Sequence, residues 1–195
     1  MPKPKKYREK WIDPLLQGLT FWVGYKHQLY PHHHINEGAI QSEAALLIQA
    51  NRYDGDKLYC EKSYSEIVSS NHNSGKNDVR ADIYIEKKDG SKIIIEIKRY
   101  PNKAGISKDF KKMLDLRNSV NKVDIKCYLL LVGEGKLPLN FVDKNKGTAK
   151  RGKIIHEDEF ILKVRRVCKS TSSFKENKFM KKANYACLIE LISHD

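Results

Sequence analysis

Three charged residues, Asp82, Glu96 and Lys98, stand within two isoleucine-rich runs of the segment RADIYIEKKDGSKIIIEIKRY, residues 80–100. The Lys-Asp-Gly-Ser sequence between the runs is typical of a β-hairpin turn. The neighbouring isoleucines favour burial, so charges at these positions need a compensating partner. Two carboxylates and an amine are also side chains that can bind a divalent cation and stabilise a phosphate anion.

The register of the hairpin decides whether the three charges share a face of the sheet. A two-residue turn would mix charged and apolar side chains on both faces. A three-residue loop, with Gly90 as the left-handed residue of a bulge, pairs Lys87 with Ser91. This second register puts Asp82 opposite Glu96 and gives the other face only apolar residues: Ala81, Ile83, Ile85, Ile93, Ile95 and Ile97. We therefore predict the three-residue loop, because a one-residue slip would destroy this separation.

Two carboxylates side by side repel each other unless a positive charge lies between them. Mg²⁺ takes oxygen ligands and commonly uses one or two carboxylates together with substrate phosphates. Lys98, on the same face as Glu96, would point at whatever the metal binds. The arrangement predicts a Mg²⁺ site, in which Mn²⁺ is expected to substitute, and phosphodiester hydrolysis is its natural chemistry.

Asp82, followed fourteen positions later by Glu96-Ile97-Lys98, resembles the motif of the PD-(D/E)xK nuclease superfamily, which has the restriction-endonuclease-like fold. The resemblance implies that Asp82 and Glu96 bind Mg²⁺ and that Lys98 orients the attacking water or stabilises the transition state. The family's Pro before the Asp is Ala81 here. The E-x-K triplet occurs four times in the chain, so the triplet alone is weak evidence. The hairpin around Glu96 and Lys98 is what distinguishes this copy from the others. The alternative is an exposed sheet face with alternating charges, as on edge strands.

The elements around the hairpin follow the order helix, strand, strand, strand, helix, strand. They are an amphipathic helix at 35–50, a short strand at 57–61, the hairpin at 80–98, a second helix at roughly 106–120 and an apolar strand at 125–132. The superfamily has the same αβββαβ core. We predict an α/β fold of this restriction-endonuclease-like kind, with a mixed central sheet flanked by helices.

The chain of 195 residues is expected to form a single domain, residues 1–195. Its core spans about 35–132, preceded by an N-terminal extension, 1–34, and followed by a C-terminal extension, 133–195. The segment 11–30 predicts a short helix and a loop around Pro14, Gly18 and Gly24. Two further strands are predicted within the C-terminal extension, at 158–168 and 183–192.

A helical carboxylate is a candidate third metal ligand, because the first helix of the superfamily often supplies an acidic residue to the site. Glu43 falls inside the apolar arc of the first helix, between Ala39 and Leu47, where an unpaired carboxylate is unfavourable. Glu37 also faces partly inward, but an acidic residue in a first turn is explained by the helix dipole. We predict Glu43 as the ligand, with Glu37 as the alternative.

The chain is strongly basic, with 37 Lys and Arg residues against 24 Asp and Glu residues and a net charge of +13. Such a surplus favours nucleic acid as a partner, although a lysine-rich surface without an acidic partner is the alternative. A loop rich in basic residues is predicted to contact the phosphate backbone through Lys144, Lys146, Lys150, Arg151 and Lys153. Basic residues of 98–126 could also line a groove.

The cysteines indicate the compartment. All four are far apart in the sequence, and none forms a CxxC pair. Cys127 and Cys187 stand in apolar runs, as buried free thiols do, which favours a reducing compartment and a cytoplasmic protein. No run of 18 apolar residues exists, so a membrane partner is not expected.

The resemblance implies a Mg²⁺-dependent nuclease acting on DNA, an endonuclease of a restriction or defence type. A Holliday-junction resolvase or a repair nuclease is the alternative among enzymes. A nucleic-acid-binding module that keeps the fold without catalysis is the alternative of another class. The sequence leaves open whether the chain forms a homodimer or joins a partner subunit of a defence complex, and whether it cleaves DNA or RNA.

Overall fold

The computed structural model describes residues 9–30, 35–68, 79–99, 103–119, 125–135, 138–143, 148–150, 154–156, 160–171 and 183–192. Within these ranges the helices are α1 (Ile12–Leu29), α2 (Glu37–Asn51), α3 (Tyr64–Val68) and α4 (Lys103–Ser119). The strands are β1 (Lys57–Ser63), β2 (Arg80–Glu86), β3 (Lys92–Arg99), β4 (Ile125–Gly135), β5 (Ile154–His156), β6 (Phe160–Thr171) and β7 (Ala183–Ile192).

The seven strands form one mixed sheet in the order β1-β2-β3-β4-β7-β6-β5. Strands β3 and β4 run parallel, and the other neighbouring strands are antiparallel. Helix α4 supplies the crossover that a parallel pair requires. The element order predicted for residues 35–132 is therefore present, with the short helix α3 added after β1.

Helices cover both faces of the sheet and create two apolar cores. On one face, α1 and α2 pack against the isoleucines at 83, 85, 93, 95 and 97. On the other face, α3 and α4 pack against Tyr84, Ile94 and the odd-numbered residues of β4. Strand β3 is thus buried on both sides, as expected for a central strand. A charged side chain on β3 must consequently find partners inside the protein.

The first helix corrects the prediction of a short helix and a loop for residues 11–30. The structure has one helix of 18 residues, Ile12–Leu29. Pro14 stands in its first turn, where the missing N–H has no intrahelical partner to lose. Gly18 brings α1 close to α2, since a Cβ at Gly18 would lie 2.7 Å from Leu47 Cδ1. This glycine is a packing residue and does not interrupt the helix.

The C-terminal extension completes the sheet. The predicted strands correspond to β6 and β7, and β7 pairs with β4 from Cys127–Leu191 to Gly135–Ala183. Cys127 and Cys187 are buried free thiols, as predicted. No helix within the described ranges is long and apolar enough to cross a membrane.

Candidate functional site

The β2–β3 hairpin has the predicted register. Ile83 pairs with Ile95. The N–H of Lys87 donates to the carbonyl of Ser91 at 2.9 Å, and the N–H of Gly90 donates to the carbonyl of Lys87 at 3.0 Å. Gly90 has φ +85°, the left-handed conformation that a bulge glycine adopts. The prediction of a three-residue loop is confirmed.

Asp82 lies where the backbone pairing of β2 and β3 ends. The last paired residues are Ile83 and Ile95, and continuing this register by one residue places Asp82 opposite Glu96. The Oδ2 atom of Asp82 accepts a hydrogen bond of 2.6 Å from the N–H of Ile97. The carboxylate of Asp82 therefore takes the place of the backbone carbonyl that would accept this hydrogen bond in a regular strand pair.

One detail of the predicted hairpin surface is wrong. Ala81 was expected to share the apolar face of the isoleucines, yet it is buried in the core beneath α3 and α4. Ala81 lies beyond the last residue of β2 that pairs with β3, and it pairs with Lys62 of β1 next to Glu61, whose backbone has a positive φ. The five isoleucines do share one core.

Glu96 is a buried carboxylate with a fixed partner. Its Oε1 atom accepts a hydrogen bond of 2.8 Å from the hydroxyl of Tyr64, the first residue of α3. Burial, followed by the charge of Asp82, raises the pKa of Glu96 to about 7, although the hydrogen bond from Tyr64 opposes the rise. When Asp82 and Glu96 are both ionised, their negative charges are therefore poorly compensated by nearby positive charge.

The pKa of Asp82 is raised as well. Burial is the main cause, and the negative charge of Glu61 adds to it, while the N–H of Ile97 and the ammonium of Lys98 act in the opposite sense. Asp109 contributes further negative charge from α4. A cation placed beside these carboxylates would relieve their repulsion.

Lys98 lies between two acids on different elements. Its Nζ atom is 3.3 Å from Asp109 Oδ2 and 3.6 Å from Glu37 Oε2. Burial favours the neutral amine, but the two carboxylates outweigh it, and the pKa of Lys98 is raised above its usual value. Lys98 is therefore a fixed cation at neutral pH.

Helix α2 presents Glu37 and Gln41 to this end of the hairpin. Glu37 Oε1 accepts a hydrogen bond of 3.0 Å from the N–H of Arg99. Gln41 Nε2 donates to the carbonyl of Asp82 and to Glu61 Oε1, both at 2.7 Å. The two α2 residues are four positions apart and so lie on the same side of the helix.

The structure does not bring Glu43, the predicted helical ligand, to the other site residues. Glu43 lies two residues after Gln41, about 200° further around the helix. None of its described contacts is with Asp82, Glu96 or Lys98. The buried face of α2 is formed by Ile40, Ala44 and Ile48. An acidic residue next to this face can lie on either side of it, and only one side adjoins the hairpin. It is Glu37, the alternative, that contacts Lys98.

Glu61 is exposed, as expected for a surface charge, but it also adjoins the site. Its φ of +54° is in the left-handed region, which is unusual for a residue with a side chain. Gln41 holds its carboxylate at 2.7 Å. The backbone of β1 thus departs from regular geometry directly beside Asp82.

Three contributors to the site were not predicted: Gln41, Asp109 and Tyr64. Asp109 lies three residues after Ile106 and four before Met113, both buried residues of α4. It therefore stands in the apolar arc of the helix, a signal that the helical spacing contains. Tyr64 begins a short helix after β1, and no motif marks it.

The predicted set of three metal ligands, Asp82, Glu96 and Glu43, is not assembled. Within the part of the chain that the structure describes, no group of three or more His, Cys, Asp or Glu side chains is placed to hold a metal ion. Asp82 and Glu96 nevertheless fit Mg²⁺ as a pair. Each uses one oxygen in the hydrogen bonds described above and retains another, and two carboxylates with substrate phosphate and water are a common Mg²⁺ ligand set.

The predicted phosphate-contact loop is described only in part. Lys150 is exposed, and its N–H donates to the carbonyl of Phe141 at 3.0 Å. Lys144, Lys146, Arg151 and Lys153 lie outside the described residues.

Helix α4 places basic residues beside the site. Lys112 Nζ lies 3.4 Å from Asp109 Oδ1. Its positive charge lowers the pKa of Glu96, in opposition to burial and to Asp82. Lys108, one turn earlier on the same side of the helix, is exposed. The rim of the site on this side is therefore positive.

The chain matches no protein-family model, and comparison with curated proteins and with solved structures gives no significant match. The chemistry of the site must therefore be inferred from its own side chains. These comprise a buried carboxylate, Glu96, a half-buried one, Asp82, whose charge repels it, and an ammonium group that two further acids hold nearby. Such a set can bind a hard divalent cation and stabilise an anionic group beside it.

Proposed function

We propose that the protein is a Mg²⁺-dependent nuclease that hydrolyses phosphodiester bonds of DNA, an endonuclease of a restriction or defence type. The observation that carries the proposal is the placement of Asp82 beside Glu96, with protonated Lys98 nearby. Burial raises the pKa of both carboxyl groups, and the charge of Asp82 raises that of Glu96 further. The helix, the three strands, the crossover helix and the parallel fourth strand support a restriction-endonuclease-like core.

Asp82 and Glu96 would hold Mg²⁺, or Mn²⁺ in its place. When bound, the metal supplies a Lewis acid and lowers the pKa of a coordinated water. The hydrogen bonds from Ile97 and Tyr64 keep the two carboxylates in fixed positions. Since Glu96 is buried and both carboxylates are held by these hydrogen bonds, little reorganisation is needed at the moment of reaction.

Lys98 would bind and orient the reacting groups. Because its pKa is raised and it is protonated at neutral pH, it cannot serve as the general base. Its ammonium group is suited to contact the scissile phosphate or the attacking water and to stabilise the negative charge that develops on the phosphate. The role of Lys98 is therefore electrostatic.

The proposed substrate is DNA, and the proposed location of the protein is the cytoplasm. The net charge of +13 favours a polyanion, and Lys108 and Lys112 add positive charge beside the site. Reduced, buried Cys127 and Cys187 are consistent with a reducing compartment. Besides DNA, the proposed partners of the chain are a second copy of itself, in a homodimer, or another subunit of a restriction or defence complex.

The test is digestion of supercoiled plasmid with Mg²⁺, with Mn²⁺ and with EDTA. The wild type should cleave with either metal, and Asp82→Ala and Lys98→Ala should each lose about 100-fold or more in rate. Glu43→Gln is the matched control, since it changes a glutamate on α2 that has no described contact with these residues. It should retain cleavage.

The products distinguish the alternatives. Discrete fragments indicate a restriction-type endonuclease, a smear indicates a nonspecific nuclease, and preferential cleavage of a four-way junction indicates a resolvase. Binding to DNA without cleavage of plasmid, linear or branched substrates in either metal would contradict the nuclease proposal and favour the nucleic-acid-binding module.

A further inference from the structure

We infer that Asp109 of α4 positions Lys98 for the reaction, as a residue that acts through the ammonium group and does not touch substrate. This inference rests on the proposed nuclease function. Asp109 and Lys98 belong to different elements, a helix and a central strand, that pack across the core beneath α4. Their contact therefore fixes the side chain of Lys98 relative to the carboxylates on the sheet.

The burial of Asp109 is the first support. Only 4% of its side chain is exposed. Its Oδ2 atom makes no hydrogen bond within the described residues, and the Nζ atom of Lys98 lies 3.3 Å away. A buried carboxylate without a charge partner is strongly unfavourable. Lys98 therefore has a strong electrostatic reason to remain beside this oxygen.

The second support is the comparison with Glu37, which also contacts Lys98. The Glu37 carboxylate is slightly more distant, at 3.6 Å, and 48% of its side chain is exposed. Water and salt screen an exposed charge far more than a buried one. Asp109 is accordingly the stronger partner of Lys98.

The third support is that Asp109 has a second cation. Lys112 Nζ lies 3.4 Å from Asp109 Oδ1, one turn along α4. When Lys98 contacts a phosphate, Asp109 thus keeps a counterion and remains compensated. The arrangement allows Lys98 to be held in place before substrate binds and to shift towards the phosphate afterwards.

The start of α4 leaves room for this side chain. A Cβ at Gly105 would lie 3.9 Å from Lys98 Cε, so the stem of Lys98 passes over the first turns of the helix in ordinary contact. The ammonium is therefore bounded by α4 on one side and by the sheet on the other. Support from two rigid elements is what a positioned catalytic group requires.

The experiment is a double-mutant cycle in kcat and KM for DNA cleavage, measured with the full chain in Mg²⁺. Asp109→Asn should lower kcat by about 10- to 100-fold with little change in KM. On a Lys98→Met background the same substitution should cause no further loss, since the residue through which it acts is absent. Asp115→Asn, the same substitution at an exposed residue of α4, should change kcat by less than about 3-fold. Single-turnover reactions with excess protein extend the range for slow variants.

Asp109→Glu is the second variant, for use if Asp109→Asn does not fold. It keeps the charge but moves the carboxylate by one methylene, and it too should lower kcat only when Lys98 is present. Circular dichroism and thermal unfolding confirm the folded state of each variant.

The two possible failures differ in their results. If Asp109→Asn lowers kcat equally with and without Lys98, the positioning role is refuted while the nuclease proposal stands. If neither the wild type nor Asp115→Asn cleaves DNA in Mg²⁺, the nuclease proposal fails and the role of Asp109 fails with it.

Discussion

Replacing Glu96 by Gln should stabilise the metal-free protein at neutral and alkaline pH while abolishing Mg²⁺-dependent cleavage. Gln has nearly the same size as Glu, and its side-chain oxygen can still accept the hydrogen bond from Tyr64. It carries no charge, so it removes both the burial of an ionised group and the repulsion from Asp82. Those are the two leading causes that raise the pKa of Glu96.

The magnitude follows from the pKa. Its rise from 4.5 to about 7 corresponds to about 3 kcal/mol at 1.36 kcal/mol per pH unit. Between these pH values the folded protein retains a proton that the unfolded chain has released, so the free energy of unfolding of the wild type decreases as pH rises. The free energy of unfolding of Glu96→Gln does not decrease in this way, because Gln does not ionise. Its advantage should be about 1 kcal/mol at about pH 5 and about 3 kcal/mol at about pH 8.

The assay is urea unfolding of both proteins in EDTA at about pH 5 and about pH 8. At the higher pH the midpoint of thermal unfolding should also rise, by roughly 6–12 °C for a chain of this size. Addition of Mg²⁺ should stabilise the wild type and leave the variant unchanged, because binding to the folded state alone raises stability. Glu43→Gln, the same chemical change on helix α2 instead of strand β3, is the control.

Two results would refute this reasoning. The first is a Glu96→Gln protein that is less stable than the wild type at about pH 8 in EDTA. The second is a stability difference that does not change between the two pH values, which would show that ionisation of Glu96 is not its cause.

Three further predictions concern pH, metal and packing. The cleavage rate of the wild type should increase with ionisation of Glu96 around pH 7. The hydrogen bond from Tyr64 lowers the pKa of Glu96, so its removal in Tyr64→Phe should raise that pKa and shift a measured pH–rate profile to higher pH. EDTA should stop cleavage without altering the circular dichroism spectrum, since both cores are closed by apolar contacts. Gly133→Ala should lower the free energy of unfolding by about 1–3 kcal/mol, because its Cβ would lie 2.7 Å from the Tyr185 hydroxyl. Gly90→Ala, with nothing within 4 Å, should lower it by about 1 kcal/mol through its positive φ alone, and urea unfolding should rank the two.

The hairpin could be predicted from the sequence because its information is local. Alternating isoleucines and a glycine at the third loop position allow one register that separates charge from apolar surface. The structure confirms that register from Ile83–Ile95 to Glu86–Lys92, and continuing it by one residue places Asp82 opposite Glu96. Lys98 follows from the same alternation.

The remaining features of the site depend on how distant elements pack. A helical wheel shows that Glu43 and Asp109 adjoin apolar arcs, but it does not show which strand faces each flank. Asp109 contacts Lys98 because α4 packs back over β3, while Gln41 and Glu37 face the hairpin because of the orientation of α2. The prediction of a loop around Gly18 was wrong for a similar reason. Gly18 lets α1 pack closely against Leu47 of α2, and this contact between distant residues is not visible in the local sequence.

The order of the strands has a consequence for synthesis of the chain on the ribosome. Strand β7, residues Ala183–Ile192, lies between β4 and β6 and is the last of the described strands to be made. Until it emerges, β4 has an open edge of unpaired backbone groups, and β6 has no place in the sheet. The nascent protein must therefore hold the hairpin half of its sheet with one side exposed, which makes β4 the segment that a chaperone would be expected to protect.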